Sequence, residues 1–163
     1  MTRLRRARQR GHRGAAAVEF ALVMVILFPI LFGIIQYGFF FNDYLQARSA
    51  ARQAAREAVV LTTPACGTGA ANTGTAVKCR AVKMAAPASG PVYAKVVAPA
   101  SWTVGQPLIV CVMIKTADVT GMLPMPNSGY ARAETQMSVE QTTSTMSSAS
   151  DTDPTGKSWS WCK

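Results

Sequence analysis

The stretch Arg13-Gly14-Ala15-Ala16-Ala17-Val18-Glu19-Phe20 decides how this chain is read, because there a basic arm meets a long apolar run that carries one carboxylate near its start. From Phe20 to Ile35 no side chain is polar, and with Glu19 and Gln36 admitted the run extends from Ala15 to Phe41. A helix of that length, at about 1.5 Å per residue, is roughly 40 Å long and exceeds the ~30 Å hydrocarbon core of a bilayer. A transmembrane helix over residues 15–41 is therefore expected, with the lipid bilayer as its first partner. Glu19 is the exception within it. An ionised side chain at the bilayer centre costs on the order of 2.5–3.5 kcal/mol, so this acid is either functional or held at headgroup depth, where water hydrates it cheaply.

Outward from this stretch, the charge is unevenly placed. The formal net charge is +9, yet Arg3, Arg5, Arg6, Arg8, Arg10 and Arg13 lie in residues 1–14 beside no acid. Without them, 11 basic residues face 8 acidic ones. The arm reads as a positive-inside signal that keeps the N-terminus cytoplasmic and sends the C-terminal part across. Nucleic acid is not an expected partner. The apolar run is longer than the ~7–15 residues of a signal-peptide core, and Phe39-Phe40-Phe41-Asn42-Asp43 follows it instead of a small-residue cleavage site. An unprocessed signal anchor with an extracytoplasmic binding domain remains the alternative.

Gly14 directly before the helix, Glu19 at the fifth position after it, and the polybasic leader together resemble the type IV prepilin processing motif. Within that superfamily the chain resembles TadE-like pseudopilins, the minor pilins of Tad/Flp tight-adherence pilus systems, over about residues 10–61. The residues that carry the likeness are Gly14, Ala15 to Ala17, Val18-Glu19-Phe20, Pro29 and Gly33; where the Tad motif is often written Glu-Tyr, this chain has Glu19-Phe20. The resemblance implies cleavage between Gly14 and Ala15 by a prepilin peptidase, and a role for Glu19, with Phe20, in helix registry during assembly. It implies other pilins and pseudopilins and an inner-membrane Tad assembly platform as partners, a single-pass place in the inner membrane, and a part in pilus biogenesis and adhesion.

Along the anchor, Pro29 removes a backbone donor and should bend the helix, while Gly33 and Gly38 leave notches for close helix approach. Tyr37, Phe39 to Phe41 and Tyr44 read as an aromatic interface belt, with Asn42 and Asp43 marking the exit. From Leu45 to Leu61 the pattern is helical: Arg48, Arg52 and Arg56 form one i, i+4 row, and Ala47, Ala51, Ala55 and Val59 lie opposite. With no breaker between them, anchor and stalk (residues 42–61) form one helix, stopped by Thr62-Thr63-Pro64. The arginine row serves equally as a solvated face or a docking surface.

Beyond the helix, residues 62–141 read as an irregular loop region followed by a small sheet. Val92 to Val97 and Leu108 to Lys115 are strand candidates, the second apolar on both faces as in a central strand. Tyr130 to Glu140 alternates as a half-buried antiparallel strand, and Gly121 to Gly129 carries turn residues. Residues 142–158 are Ser/Thr-rich and expected to be flexible, ending in Trp159-Ser160-Trp161-Cys162-Lys163, which is apolar enough to dock. The fold class is α+β: a long N-terminal helix, transmembrane and then amphipathic, followed by a small antiparallel sheet domain.

Cys66, Cys79, Cys111 and Cys162 all follow the membrane segment and favour two disulfides in an oxidising compartment. Of three connectivities, Cys66–Cys79 would close a short loop and Cys111–Cys162 would tie the tail to a strand. With no C-x-x-C pair and the one histidine, His12, in the arm, neither metal nor cofactor is called for. The extracytoplasmic part offers no histidine for a catalytic triad and no phosphate loop, so an enzyme is not expected.

Overall fold

A computed structural model of the chain describes residues 3–119, 121, 123–142 and 146–163, with side chains from Gly14 onward. The first helix, α1, spans Arg3–Val59 without interruption at Pro29. The helix stops where Leu61 takes a left-handed conformation (φ 55°), which lets the Thr62 N–H reach the Glu57 carbonyl (2.9 Å) and the Leu61 N–H the Ala58 carbonyl (3.1 Å). These bonds satisfy carbonyls that the helix end would otherwise leave unpaired.

A second helix, α2, spans Gly74–Met84, where the composition predicts an irregular loop. Thr73 caps it by accepting a hydrogen bond from the Ala76 N–H, and its buried face is short: Gly74, Ala76, Val77 and Ala81. So brief an alanine-rich face resembles the loop composition around it, which is why periodicity alone passed over it.

The strands are β1 (Val92–Val97), β2 (Pro107–Lys115), β3 (Tyr130–Ser138) and β4 (Ala149–Ser150), in spatial order β3-β2-β1-β4 with every pairing antiparallel. A 3-10 turn at Pro126–Gly129 leads into β3. Registers such as Val96 opposite Val110 and Val112 opposite Ala133 set one row of small and branched side chains toward α1.

That inner layer is the main core. Ala47, Ala50, Ala51, Ala54, Ala55 and Ala58 of α1 are buried against Val96, Val110, Val112, Ile114, Ala131 and Ala133. Alanine at each helix position brings the backbone close to the sheet, so a 45-residue stretch from Ala15 can serve as anchor below and core element above, at ~1.5 Å of rise per residue. β2 is central and buried on both faces. Its outer residues, Cys111 and Met113, lie under Trp159 and Cys162.

The C-terminal segment is thus part of the fold, against the expectation of a flexible tail. β4 pairs with β1, and Asp151 bridges two elements: it accepts from Lys78 Nζ of α2 (2.6 Å) and from the Ala94 N–H of β1 (3.0 Å). Asp153 accepts from the Trp159 N–H (2.7 Å) and from both the N–H and hydroxyl of Thr155, closing the turn that folds the tryptophans back. Residues 143–145 of the expected tail lie outside the described residues. Disulfides join Cys66 to Cys79 and Cys111 to Cys162, the second tethering this segment to the centre of the sheet.

Candidate functional site

The lower half of α1 is bare. Val18, Phe20, Val25, Ile26 and Ile34 are each more than half exposed, and all side chains from Ala15 to Ile35 are uncovered except Met24 and Gly33, which are half-buried. A continuous apolar surface of this size on one helix marks a site for lipid or another apolar partner. Among the described residues this is the one helix long and apolar enough to cross a membrane.

Glu19 stands on that bare surface, exposed and in no ion pair among the described residues. Ala15 lies four positions before it, one turn along the helix, so the two share a face. Gly14 is helical as well, and the position a side chain would take there is open, with no atom within 4 Å. Phe20, next to Glu19, is 61% exposed.

From Gln36 upward one face of α1 is covered, and the covering is polar as well as apolar. Gln36, fully buried, donates from Nε2 to Asp118 Oδ1 (3.2 Å), an oxygen that also accepts from the Gly121 N–H (2.7 Å). The Tyr37 hydroxyl donates to the Pro124 carbonyl (3.0 Å). Asp43 is fully buried: its Oδ1 accepts from the Ser89 N–H (2.9 Å), its Oδ2 from the Ser89 hydroxyl, and Ser89 Oγ in turn accepts from the Ala117 N–H (2.9 Å). Two loops, α2–β1 and β2–β3, are thereby fastened to the helix over about two turns. We call this arrangement the collar.

The collar departs from the sequence reading of the exit. Asp43 does not face water, Phe40 is buried, and Tyr37 is engaged with the β2–β3 loop, whereas Phe39 and Phe41 stay exposed. Gly33, read as a notch for another helix, has Leu123 Cδ1 3.8 Å from where its side chain would start; Gly38 is open. A signal was available: Gln36, Phe40, Asp43, Ala47, Ala50 and Ala54 continue one helical face, so the polar pair lies in line with the alanines that pack on the sheet.

On the other side of the stalk, Arg48, Arg52 and Arg56 are exposed and line an open groove with Leu45 and Met137. Arg48 lies over the Tyr44 ring, 5.6 Å from its centre. Glu57, on the neighbouring row, turns instead to α2 and pairs with Arg80 through two bonds of 2.8 and 3.1 Å. No group of three or more His, Cys, Asp or Glu among the described residues could hold a metal ion.

A helix that is apolar and bare below and covered on one face by an antiparallel sheet above defines an α+β protein whose N-terminal helix is long and apolar enough to cross a membrane. More particularly, residues 14–56 match the family model of the TadE-like proteins, from the glycine before the apolar run to the last arginine of the stalk. Over that segment the chain is similar to the TadE-like proteins, and the sheet domain lies outside the match. No curated protein and no solved structure matches the chain.

Proposed function

We propose that this chain is a pseudopilin, or minor pilin, of a Tad-type pilus: a structural component anchored in the inner membrane with its sheet domain outside. In this reading a prepilin peptidase cuts between Gly14 and Ala15, and the mature protein assembles with other pilins and the inner-membrane platform in pilus biogenesis and adhesion. The observation that carries it is the placement of Glu19, a lone exposed carboxylate on a bare apolar helix, one turn from the residue that would become the N-terminus.

The mechanism follows from electrostatics. Cleavage creates an ammonium on Ala15, and in surroundings of low dielectric an ammonium and a carboxylate stabilise each other far more than they do in water. If the amine of one subunit meets Glu19 of its neighbour, the pair sets the register of two helices. Gly14 contributes differently. Its peptide bond is helical here, and a glycine costs ~1 kcal/mol less to unwind than alanine, which eases presentation of the bond to a peptidase.

The test is the N-terminus of the protein recovered from its native membrane, with and without the prepilin peptidase. A start at Ala15 that depends on the peptidase is expected, with Glu19→Ala processed normally but piliation strongly reduced. An intact arm in both strains would overturn the reading in favour of an unprocessed, signal-anchored binding protein. Normal piliation from Glu19→Ala would remove the registry role alone.

A further inference from the structure

The helix and the loop beside it fix a height. The bare stretch from Ala15 to Ile35 is about 30 Å long at 1.5 Å per residue, which fills a hydrocarbon core with nothing to spare. Across its upper end, the β2–β3 loop touches the helix at three places: Leu123 beside Gly33, Asp118 on Gln36 and Pro124 on Tyr37. A loop that reaches down to Gly33 cannot stay clear of a membrane whose core ends near Ile35.

The surface of that loop suits the position. Val119 is 49% exposed, Pro124 and Pro126 are exposed, and Leu123 and Met125 are half-covered, while Phe39 and Phe41 are exposed on the helix just above the loop's contacts. The loop's one carboxylate, Asp118, is engaged by the Gln36 side chain and the Gly121 N–H. Lys115, three residues before Asp118 at the end of β2, is exposed and supplies an ammonium of the kind that binds lipid phosphates.

We propose that the segment between β2 and β3, centred on Val119 and Leu123, is a second membrane contact: it enters the interfacial layer of a phospholipid bilayer beside the helix. The partner is lipid because the loop's apolar surface continues the bare surface of the helix at the depth where the core ends. The inference rests on the reading that Ala15–Ile35 spans the membrane. The collar then gives the contact a consequence. With helix and loop both held at the surface, the domain has a fixed rotation and tilt against the bilayer.

The test uses the full chain in phospholipid vesicles with single spin labels on Val25→Cys, Val119→Cys and Val104→Cys. The four native cysteines are all in disulfides and leave no thiol to compete. Val104 is the aqueous control: it is 64% exposed, in the turn before Gly105, which bonds to Val139 beside the upper end of α1. The ratio of oxygen to polar-nickel accessibility is expected to be several-fold higher at 119 than at 104, approaching that at 25. A lipid-facing 25 with 119 matching 104 would overturn the second contact and leave the anchor standing. An aqueous 25 would remove the anchor reading and the contact together. The unsubstituted chain supplies a second check: photoactivatable lipid should label the peptide holding residues 117–125, and labelling confined to α1 would refute the proposal.

Discussion

Replacing Asp43 by alanine tests the collar where the structure commits most. The carboxylate is fully buried in the helix and holds the Ser89 N–H at 2.9 Å as well as the Ser89 hydroxyl, which in turn holds the Ala117 N–H at 2.9 Å. Removing it leaves the Ser89 N–H without its acceptor and unsettles the hydroxyl that positions Ala117. Hydrogen bonds to a charged group contribute about 1.5–3 kcal/mol each, and an orphaned buried donor costs about 1–3 kcal/mol. Part of that is offset because a buried charge no longer has to be desolvated. A net loss of about 2–4 kcal/mol is expected for Asp43→Ala, and about 1–2 kcal/mol for Asp43→Asn, which keeps one acceptor oxygen. The assay is urea unfolding of the detergent-solubilised protein, followed by the fluorescence of the buried Trp102 and Trp159. Ser89→Ala completes a double-mutant cycle, with an expected coupling of about 1 kcal/mol or more, since the two residues share one network. If Asp43→Ala unfolds at the wild-type midpoint, or if its effect adds to that of Ser89→Ala without coupling, the collar does not hold the loops and the reasoning fails.

Two further outcomes follow. A side chain at Gly90 would begin 2.2 Å from the Lys115 carbonyl oxygen, so Gly90→Ala should force the α2–β1 loop away from the end of β2 and lower stability by roughly 1–3 kcal/mol in the same unfolding assay. At Asp153, burial works to raise the pKa, but hydrogen bonds from Trp159 and Thr155 and the nearby charge of Arg132 outweigh it and hold the carboxyl below its ordinary value. A carboxylate depressed on folding contributes stability above its unfolded pKa of ~3.9 and loses it as pH falls through the folded value, so Trp159 should loosen from the sheet in acid below about pH 4. Asp153→Asn should flatten that acid-dependent change in tryptophan fluorescence, and an unchanged acid transition in the variant would show that another group governs it.

Much of the architecture was legible because it is local. The anchor and stalk could be read as one helix from an unbroken run with no breaker before Thr62, and β2 as a central strand from apolar residues on both of its faces. The alternation from Tyr130 onward marked which residues of β3 face the helix. Glu19 and Gly14 stood out because a charge and a glycine are unusual beside a lipid-length apolar run. What could not be read had its cause elsewhere in the chain. Asp43 looked like an exit marker, since nothing near it in sequence tells that Ser89, 46 residues away, will supply its donors. The Ser/Thr-rich segment looked unable to bury itself, and by itself it is; it is held by Lys78, Ala94 and Cys111, which belong to α2, β1 and β2.

The sequence by itself determined the basic arm, the apolar helix with its single acid, the stalk and the two-period strands, because each is a repeat that neighbouring residues express without help. Only the tertiary structure decided where the bare helix gives way to the covered one, at Gln36 and not at Phe41, which loop reaches down beside it, and that Asp43 faces inward. The physical reason is that exposure is a property of what lies opposite. A helical face is written into its own residues, but whether lipid, water or a loop from the far side of a sheet covers it depends on segments that only folding brings together.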